Sequence, residues 1–302
     1  MVDNGGSDAE VVAAAGGGRV RLVEPRENLG FAGGCNRGAA EATGDVLVFL
    51  NPDTVVEPDA LAQLGRTLAD PTIGIAMARL RLLDRPGELN SGGTVVHVSG
   101  LAWAGRFGEP AEGIRELEDV AAASGAALAI RRETFAALGG FTEELFMYQE
   151  DVELSWRAHL AGLRVVIDPG ADVLHEYDFG RHPSKIALLE RNRLIFVLTG
   201  YPLGLLLLLT PVLAGGELAM LLLAARRGWF RGKLGGWWWC VSNGRWLAGH
   251  RRQTKRIRRV STGELAPFLT PALDPRMVPL PRGTVVVNRL LGPYWSLVRK
   301  AL

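Results

Sequence analysis

The stretch ENLGFAGGCNRGAAEATGDVLVFLNPDT, residues 27–54, sets polar, glycine-rich backbone on both sides of one short apolar run, VLVFL at 46–50. A five-residue run of this kind reads as a buried parallel strand, and ligands of open α/β sheets sit beyond the carboxyl ends of such strands. Asn51, Pro52 and Asp53 stand at that end. Asp53 would point a carboxylate into the crevice. A divalent cation bridging two phosphates is a natural guest there, because Mg²⁺ takes one or two carboxylates and fills its shell with phosphate oxygens and water. The segment from Asn28 to Asn36, which includes Gly30 and Gly33, would let backbone approach a ligand closely, glycine supplying unusual φ values and asparagine supplying donors.

Outward from this stretch, short apolar runs alternate with helical patterns. Residues 20–23 read as a strand, 32–42 as a helix, 46–50 as a strand, and 58–68 as a helix with Pro58 at its first position. That order is α/β, with a mainly parallel sheet flanked by helices. Strands or turns are expected over 73–83 and 94–98, a helix over 151–161 and a strand over 164–167. In the helix, Val152, Trp156 and Leu160 share a face, and Glu153 stands four residues before Arg157.

The second constellation is GGFTEELFMYQEDVELSWRAHLAG, residues 139–162. Glu150 and Asp151 open a helix, where the positive end of the macrodipole favours ionised carboxylates. A helix cap is the plain reading. Yet Phe141, Phe146 and Tyr148 crowd just ahead of the pair, and a carboxylate poised at a cleft suits the general base for a hydroxyl.

Charge divides the chain. Residues 1–225 carry 18 Lys/Arg against 30 Asp/Glu, while 226–260 carry 11 basic residues and no acidic one. The basic part therefore belongs beside phosphate-bearing surfaces. Residues 194–225 carry a single charge, Glu217, which allows one tilted membrane span or a hairpin broken near Pro202, Pro211 and Gly215-Gly216. Arg191 and Arg193 precede the run and Arg226, Arg227, Arg231 and Lys233 follow it, so a hairpin with both ends on the cytoplasmic side is preferred. Trp237, Trp238, Trp239 and Trp246 read as interfacial anchors. The basic residues from Arg251 to Arg259 suit anionic lipid heads, with no nucleic acid as partner. The two cysteines, Cys35 and Cys240, imply neither a disulfide framework nor a zinc site. No signal peptide is visible in MVDNGGSDAE.

The motif order VDNGGSD (2–8), ENLGFAGGCNRG (27–38), FLNPDT (49–54), SGAALAIRRETFAALGGFTEELFMYQEDVELSWRAHLAG (124–162) and VLHEY (173–177) resembles glycosyltransferase family 2, in its bacterial rhamnosyltransferase-like branch. The resemblance implies a GT-A nucleotide-diphospho-sugar fold and inverting transfer to a lipid-linked or cell-surface glycan acceptor, with dTDP-rhamnose as one candidate donor. Carried over by motif, Asp3 resembles the residue that reads the nucleotide base. Asn28, Gly30, Gly33, Asn36 and Asn51 fall on the donor-binding segments. Asp53 stands where the metal-binding carboxylate stands, for Mg²⁺ or Mn²⁺. Asp151 matches the catalytic base, with Glu150 beside it, and His175 resembles a histidine that reaches the metal or diphosphate, a core histidine being the alternative. Asn51 stands where many relatives have Asp. The family opens with a strand, a helix and a second strand, whereas Met1 here sits on the VDNG-type motif, so the native start is expected one such unit upstream. A non-catalytic, membrane-associated scaffold with a degenerate fold is the alternative reading. The expected divisions are 1–190 catalytic, 191–260 a membrane hairpin with its interfacial segment at the cytoplasmic face of the plasma membrane, and 261–302 a Pro-rich linker over 267–281 followed by an amphipathic helix.

Overall fold

The computed structural model describes residues 1–5, 14, 16–176, 185–274 and 283–302. The end of the VDNGGSD motif, Tyr177 and residues 275–281 of the expected Pro-rich linker lie outside the described residues. Helix α1 (Gly30–Glu41) leads into strands β1 (Val46–Leu50) and β2 (Thr54–Val56), helix α2 (Ala60–Thr67), and strands β3 (Ile73–Leu82), β4 (Leu89–Ser91), β5 (Thr94–His97), β6 (Ala102–Ala104), β7 (Glu118–Asp119) and β8 (Ala127–Arg131). Helices α3 (Arg132–Leu138) and α4 (Glu150–Leu160) and strand β9 (Arg164–His175) complete the first part. Then come α5 (Lys185–Gly200), α6 (Leu203–Arg227), α7 (Phe230–Ser242), α8 (Gly244–Ile257), α9 (Thr262–Leu265), strand β10 (Leu269–Thr270) and α10 (Thr284–Ala301).

The main sheet has the order β1-β8-β3-β9-β2, with β4 added to β3 and β7 to β9. It is mixed, where the sequence pattern suggested a mainly parallel one. β3 and β9 pair in parallel, but β8 runs antiparallel between β1 and β3, and β2 runs antiparallel to β9. β1, β3 and β9 thus share a direction, and their carboxyl ends lie at one edge. The centre of the sheet is β3, whose IGIAMARLRL is buried at eight of its ten positions. An aromatic cluster of Phe31, Phe49, Phe135 and Phe141, with ring centroids 5.0–5.9 Å apart, packs α1, β1 and α3 together.

The expected strand over 20–23 is reduced to a single parallel bridge between Val23 and Val2. Helix α2 starts at Ala60, two residues after Pro58, because Asp59 takes a left-handed φ of 63° and breaks the first turn. The boundary expected at 190 falls inside the continuous α5, whose Ile195, Phe196 and Val197 are buried. Phe196 and Val197 join Trp156, Tyr201, Leu205, Leu209 and Trp295 in a second core. Residues 265–270 also belong to packed structure, since Leu265 and Leu269 are buried and β10 pairs with β5.

The apolar stretch breaks only at residues 201–202. Helix α6 then runs unbroken for 25 residues through Pro211 and the Gly215-Gly216 pair, and it is the one helix among the described residues long and apolar enough to cross a membrane. Chain reversal comes later, at Gly228 with φ 81°. Both halves of α6 are tied to the same body: Leu205 and Leu209 enter the second core, and Glu217 pairs with Arg193 of α5 and, at 2.8 Å, with Lys233 of α7. Leu203, Leu207, Leu218 and Leu222 are exposed and, at 3.6 residues per turn, share one stripe about 100° wide.

Candidate active site

The site forms at the sheet edge where β1 and β9 end and β8 begins. Asn51 donates its N–H to Ala126 O at 3.0 Å and accepts Thr54 Oγ1 on its carbonyl at 2.7 Å, which folds Asn51-Pro52-Asp53 into a turn and returns the chain as β2. Pairing of Thr54 with His175 in the β2–β9 ladder then brings Asp53 beside the histidine. His175 Nε2 lies 3.3 Å from Asp53 Oδ1, and Nδ1 lies 2.9 Å from Asn90 Oδ1. As an amide oxygen can only accept, Nδ1 carries a proton toward Asn90, and Nε2 faces the Asp53 carboxylate. Asp53 Oδ1 is buried and makes no hydrogen bond among the described residues. An imidazole nitrogen and a buried carboxylate oxygen facing each other are a donor pair that a divalent cation fits, with Asn90 holding the histidine ring in place. No group of three or more His, Cys, Asp or Glu side chains converges among the described residues, so two protein ligands would leave coordination positions to phosphate oxygens and water.

Gly125, two residues before β8, connects this turn to the second constellation. Its N–H donates to Asp151 Oδ2 at 2.8 Å, and the Val152 N–H donates to Oδ1 at 2.8 Å. A Cβ on Gly125 would stand 3.2 Å from the Phe31 ring, so glycine suits that crowded place. Burial raises the Asp151 carboxyl above its usual value while these N–H groups oppose the shift. Burial first, and then the Asp151 charge, hold Glu150 protonated well above the ordinary carboxylate range; its Oε2 is buried without a hydrogen-bond partner among the described residues. A neutral Glu150 beside an ionised Asp151 is the charge state this packing favours.

The loop ahead of the pair is strained. Phe146, Tyr148 and Gln149 have φ values of 63°, 72° and 67°, each a conformation costing about 1–3 kcal/mol for a residue with a side chain. The opening glycine-rich segment packs on this loop: Ala32 N–H donates to Phe146 O, and a Cβ on Gly30 would sit 2.3 Å from that oxygen. Gly30 is therefore required by the loop as well as by its own φ of 68°. Asn28 Oδ1 accepts the Gly30 N–H at 2.8 Å, and Asn4, next to Asp3, bridges Leu29 N and Gly30 O.

Three of the expected donor-binding residues have structural employment. Asn36 spends its amide on Phe141 N, Phe141 O and Glu143 Oε1, stapling α1 to the 141–143 turn. Gly33 lets α1 close over Leu29, whose Cβ is 2.8 Å from where its own would be. Asp3 Oδ1 accepts Gly5 N at 3.0 Å. The tryptophan motif also divides: Trp238 is 71% exposed, but Trp237 donates to Glu217, Trp239 lies under the Arg191 guanidinium, and Trp246 stacks on His250. Lys233 is fully buried between Glu190 and Glu217, which withdraws it from the expected basic flank.

The family model described as glycosyltransferase-like family 2 matches residues 3–195. The chain belongs to that family. The match ends inside α5, so the family domain takes in the helix that holds up the strained loop. Among curated relatives, the N-acetylglucosaminyl-diphospho-decaprenol L-rhamnosyltransferase of Mycobacterium tuberculosis is 31% identical over 230 residues, covering 65% of this chain and 73% of its own. The O-antigen biosynthesis protein RfbC of Myxococcus xanthus is 31% identical over 159 residues. Here the match covers 50% of this chain and spans only 12% of RfbC, and for the Sinorhizobium fredii protein y4gI, 27% identical, it covers 64% of this chain and 23% of that protein. Of solved structures, GalNAc-T7 with UDP, GalNAc and Mn²⁺ superimposes with a TM-score of 0.52 at 21% identity, over 63% of this chain and 38% of that one. The likeness establishes the GT-A fold. Within that fold, sequence reasoning missed Asn4, Asn90, Gly125 and Asn192. Asn4 and Gly125 carried a local signal, as parts of the motifs read for Asp3 and Asp151; Asn90 and Asn192 act on partners far away in the chain.

Proposed function

We propose that this family 2 glycosyltransferase is a metal-dependent, inverting enzyme that moves a sugar from a nucleotide-diphospho-sugar to a lipid-linked or cell-surface glycan acceptor at the cytoplasmic face of the plasma membrane. The observation that carries the reading is the juxtaposition of Asp53 and His175 at the sheet edge that also presents Asp151. Asp53 and His175 would hold Mg²⁺ or Mn²⁺, which when bound offsets the charge of the leaving diphosphate. Asp151 takes the proton of the acceptor hydroxyl as that oxygen bonds to the anomeric carbon and the bond to the diphosphate oxygen breaks on the opposite face. A single displacement inverts the centre. The two N–H groups on Asp151 fix its orientation, and each oxygen keeps a lone pair for the incoming proton. The relative named for L-rhamnosyl transfer supports a rhamnosyl donor such as dTDP-rhamnose and a polyprenyl-diphosphate acceptor.

Membrane attachment is supported by the exposed stripe of α6 together with Trp238 and Val241 of α7 and Val285, Val286 and Leu290 of α10. Because both halves of α6 are anchored on the catalytic body, the helix would lie along the leaflet, and arginines of 226–259 would meet anionic headgroups.

The experiment is a donor screen on the full chain with lipid vesicles, reading nucleoside diphosphate release with Mn²⁺, with Mg²⁺ and after chelation. Asp53→Ala should weaken metal-dependent nucleotide binding by at least tenfold while leaving the metal-free background unchanged. Turnover that survives chelation undiminished would end the metal-dependent reading.

A further inference from the structure

We propose that Asn192 of α5, oriented by Arg191, is a positioning residue for Asp151. Asn192 is wholly buried. Its Nδ2 lies 2.8 Å from Leu145 O, 2.9 Å from Met147 O and 2.7 Å from Tyr148 O, so one amide gathers three carbonyls of the strained loop. Tyr148 stands three residues before Asp151. The amide cannot turn around, because its Oδ1 accepts Arg191 Nε at 3.0 Å. Arg191 in turn donates to Glu144 O and Leu145 O, each at 2.9 Å, and its guanidinium carbon lies 5.4 Å from the centre of the Trp239 ring. The three left-handed residues persist only if their surroundings over-determine them, and α5 supplies most of that constraint. From the other side, the loop is held by Ala32 on Phe146 O and by Gln149 on Gly100 O. Removing the Asn192 donors lets the loop relax toward ordinary φ values and draws Asp151 out of line with the acceptor hydroxyl. The donor-side residues, Asp53 in the turn after β1 and His175 of β9, keep their places.

The inference rests on Asp151 being the base, so Asp151→Asn is measured alongside. Asn192→Ala should lower kcat by about 10- to 100-fold, the cost of a misplaced reacting group, with donor KM and the affinity for nucleoside diphosphate with Mn²⁺ within about twofold of wild type. Arg191→Lys keeps the charge but loses the Nε donor, and it should lower kcat in the same sense by about three- to tenfold; it carries the test if Asn192→Ala fails to fold. A folded Asn192→Ala or Arg191→Lys protein with wild-type kcat overturns the proposal, as does a loss confined to donor KM. If Asp151→Asn itself keeps wild-type turnover, the base assignment fails, and the role of Asn192 fails with it.

Discussion

At Asp151 two adjacent carboxyls receive different roles from their surroundings. Two backbone N–H groups hold Asp151, whereas Glu150 is buried with one oxygen unpartnered. Asp151→Asn should therefore reduce turnover by about 10² to 10⁴ with donor binding nearly intact. Glu150→Gln, which reproduces the neutral side chain, should fall short of that loss by at least an order of magnitude. Steady-state kinetics on the two variants decides the matter, and equal losses would contradict the division of roles. The pH profile follows from the same burial. Asp151 must be ionised to act, and its value is raised above 3.8. Activity is therefore present above the raised value and lost as pH falls through it. An acid limb in kcat/KM at or below 3.8 would mean that Asp151 is not the group titrating.

Among the elements, α4 does more than present Asp151. The Glu153–Arg157 pair, legible as a four-residue spacing on a helix, is buried, with Nη2–Oε2 at 2.7 Å. Arg157 also donates to Leu138 O and Gly140 O, and His250 of α8 lies 3.1 Å from Glu153 Oε1. Instead of adding a few tenths of a kcal/mol to a helix surface, the pair locks α3, the Gly139-Gly140 turn and α8 to α4. Arg157→Met should cost about 3–5 kcal/mol in chemical unfolding, because it strands Glu153 without its partner. Burial alone would raise Glu153, but Arg157 and His250 override it and bring it to about 2. The folded value is depressed. The pair's contribution is thus complete above the ordinary 4.5 and lost as pH falls toward about 2. Unfolding measured across that interval should show wild type losing stability on acidification. In Arg157→Met that loss should vanish; a variant with the wild-type slope would refute the account.

On the scale of the whole molecule, α5 joins two functions. Its Arg191 and Asn192 reach the strained loop ahead of Asp151, while its Glu190 and Arg193 enter a buried ion network with Glu217 of α6 and Lys233 of α7. The apolar face of α6, α7 and α10 is thus tied to the same helix that holds the loop ahead of Asp151. Replacing Leu207 and Leu222 together with Glu places two charges on the exposed stripe and should abolish flotation with anionic vesicles while leaving the folded body intact, since neither side chain enters the cores. Flotation unchanged by the double substitution would remove this face as the lipid contact. Labelling a cysteine placed near residue 250 from the periplasmic side, in a cysteine-free background, would show a crossing α6 and refute the in-plane arrangement.

The strand at 46–50, the Asn51-Pro52-Asp53 turn at its end and the helix beginning at Glu150 were legible in the sequence alone, because apolar period, turn chemistry and helix-start residues act over a few neighbouring positions. The family's motifs fixed Asp53, His175 and Asp151 as candidates for the same reason: each sits in a short, recognisable string. What folding alone decided are the pairings between distant segments. The antiparallel course of β8 inside the sheet, the Asn90 contact to His175 across 85 positions, and the reach of Asn192 over 44–47 positions to the catalytic loop leave no local periodicity to read. Burial, too, belongs to the assembled molecule. Trp237, Trp238 and Trp239 are identical as letters, yet one closes an ion network, one faces solvent and one supports a guanidinium, because successive residues of a helix point about 100° apart and only the packed neighbours determine what each direction meets.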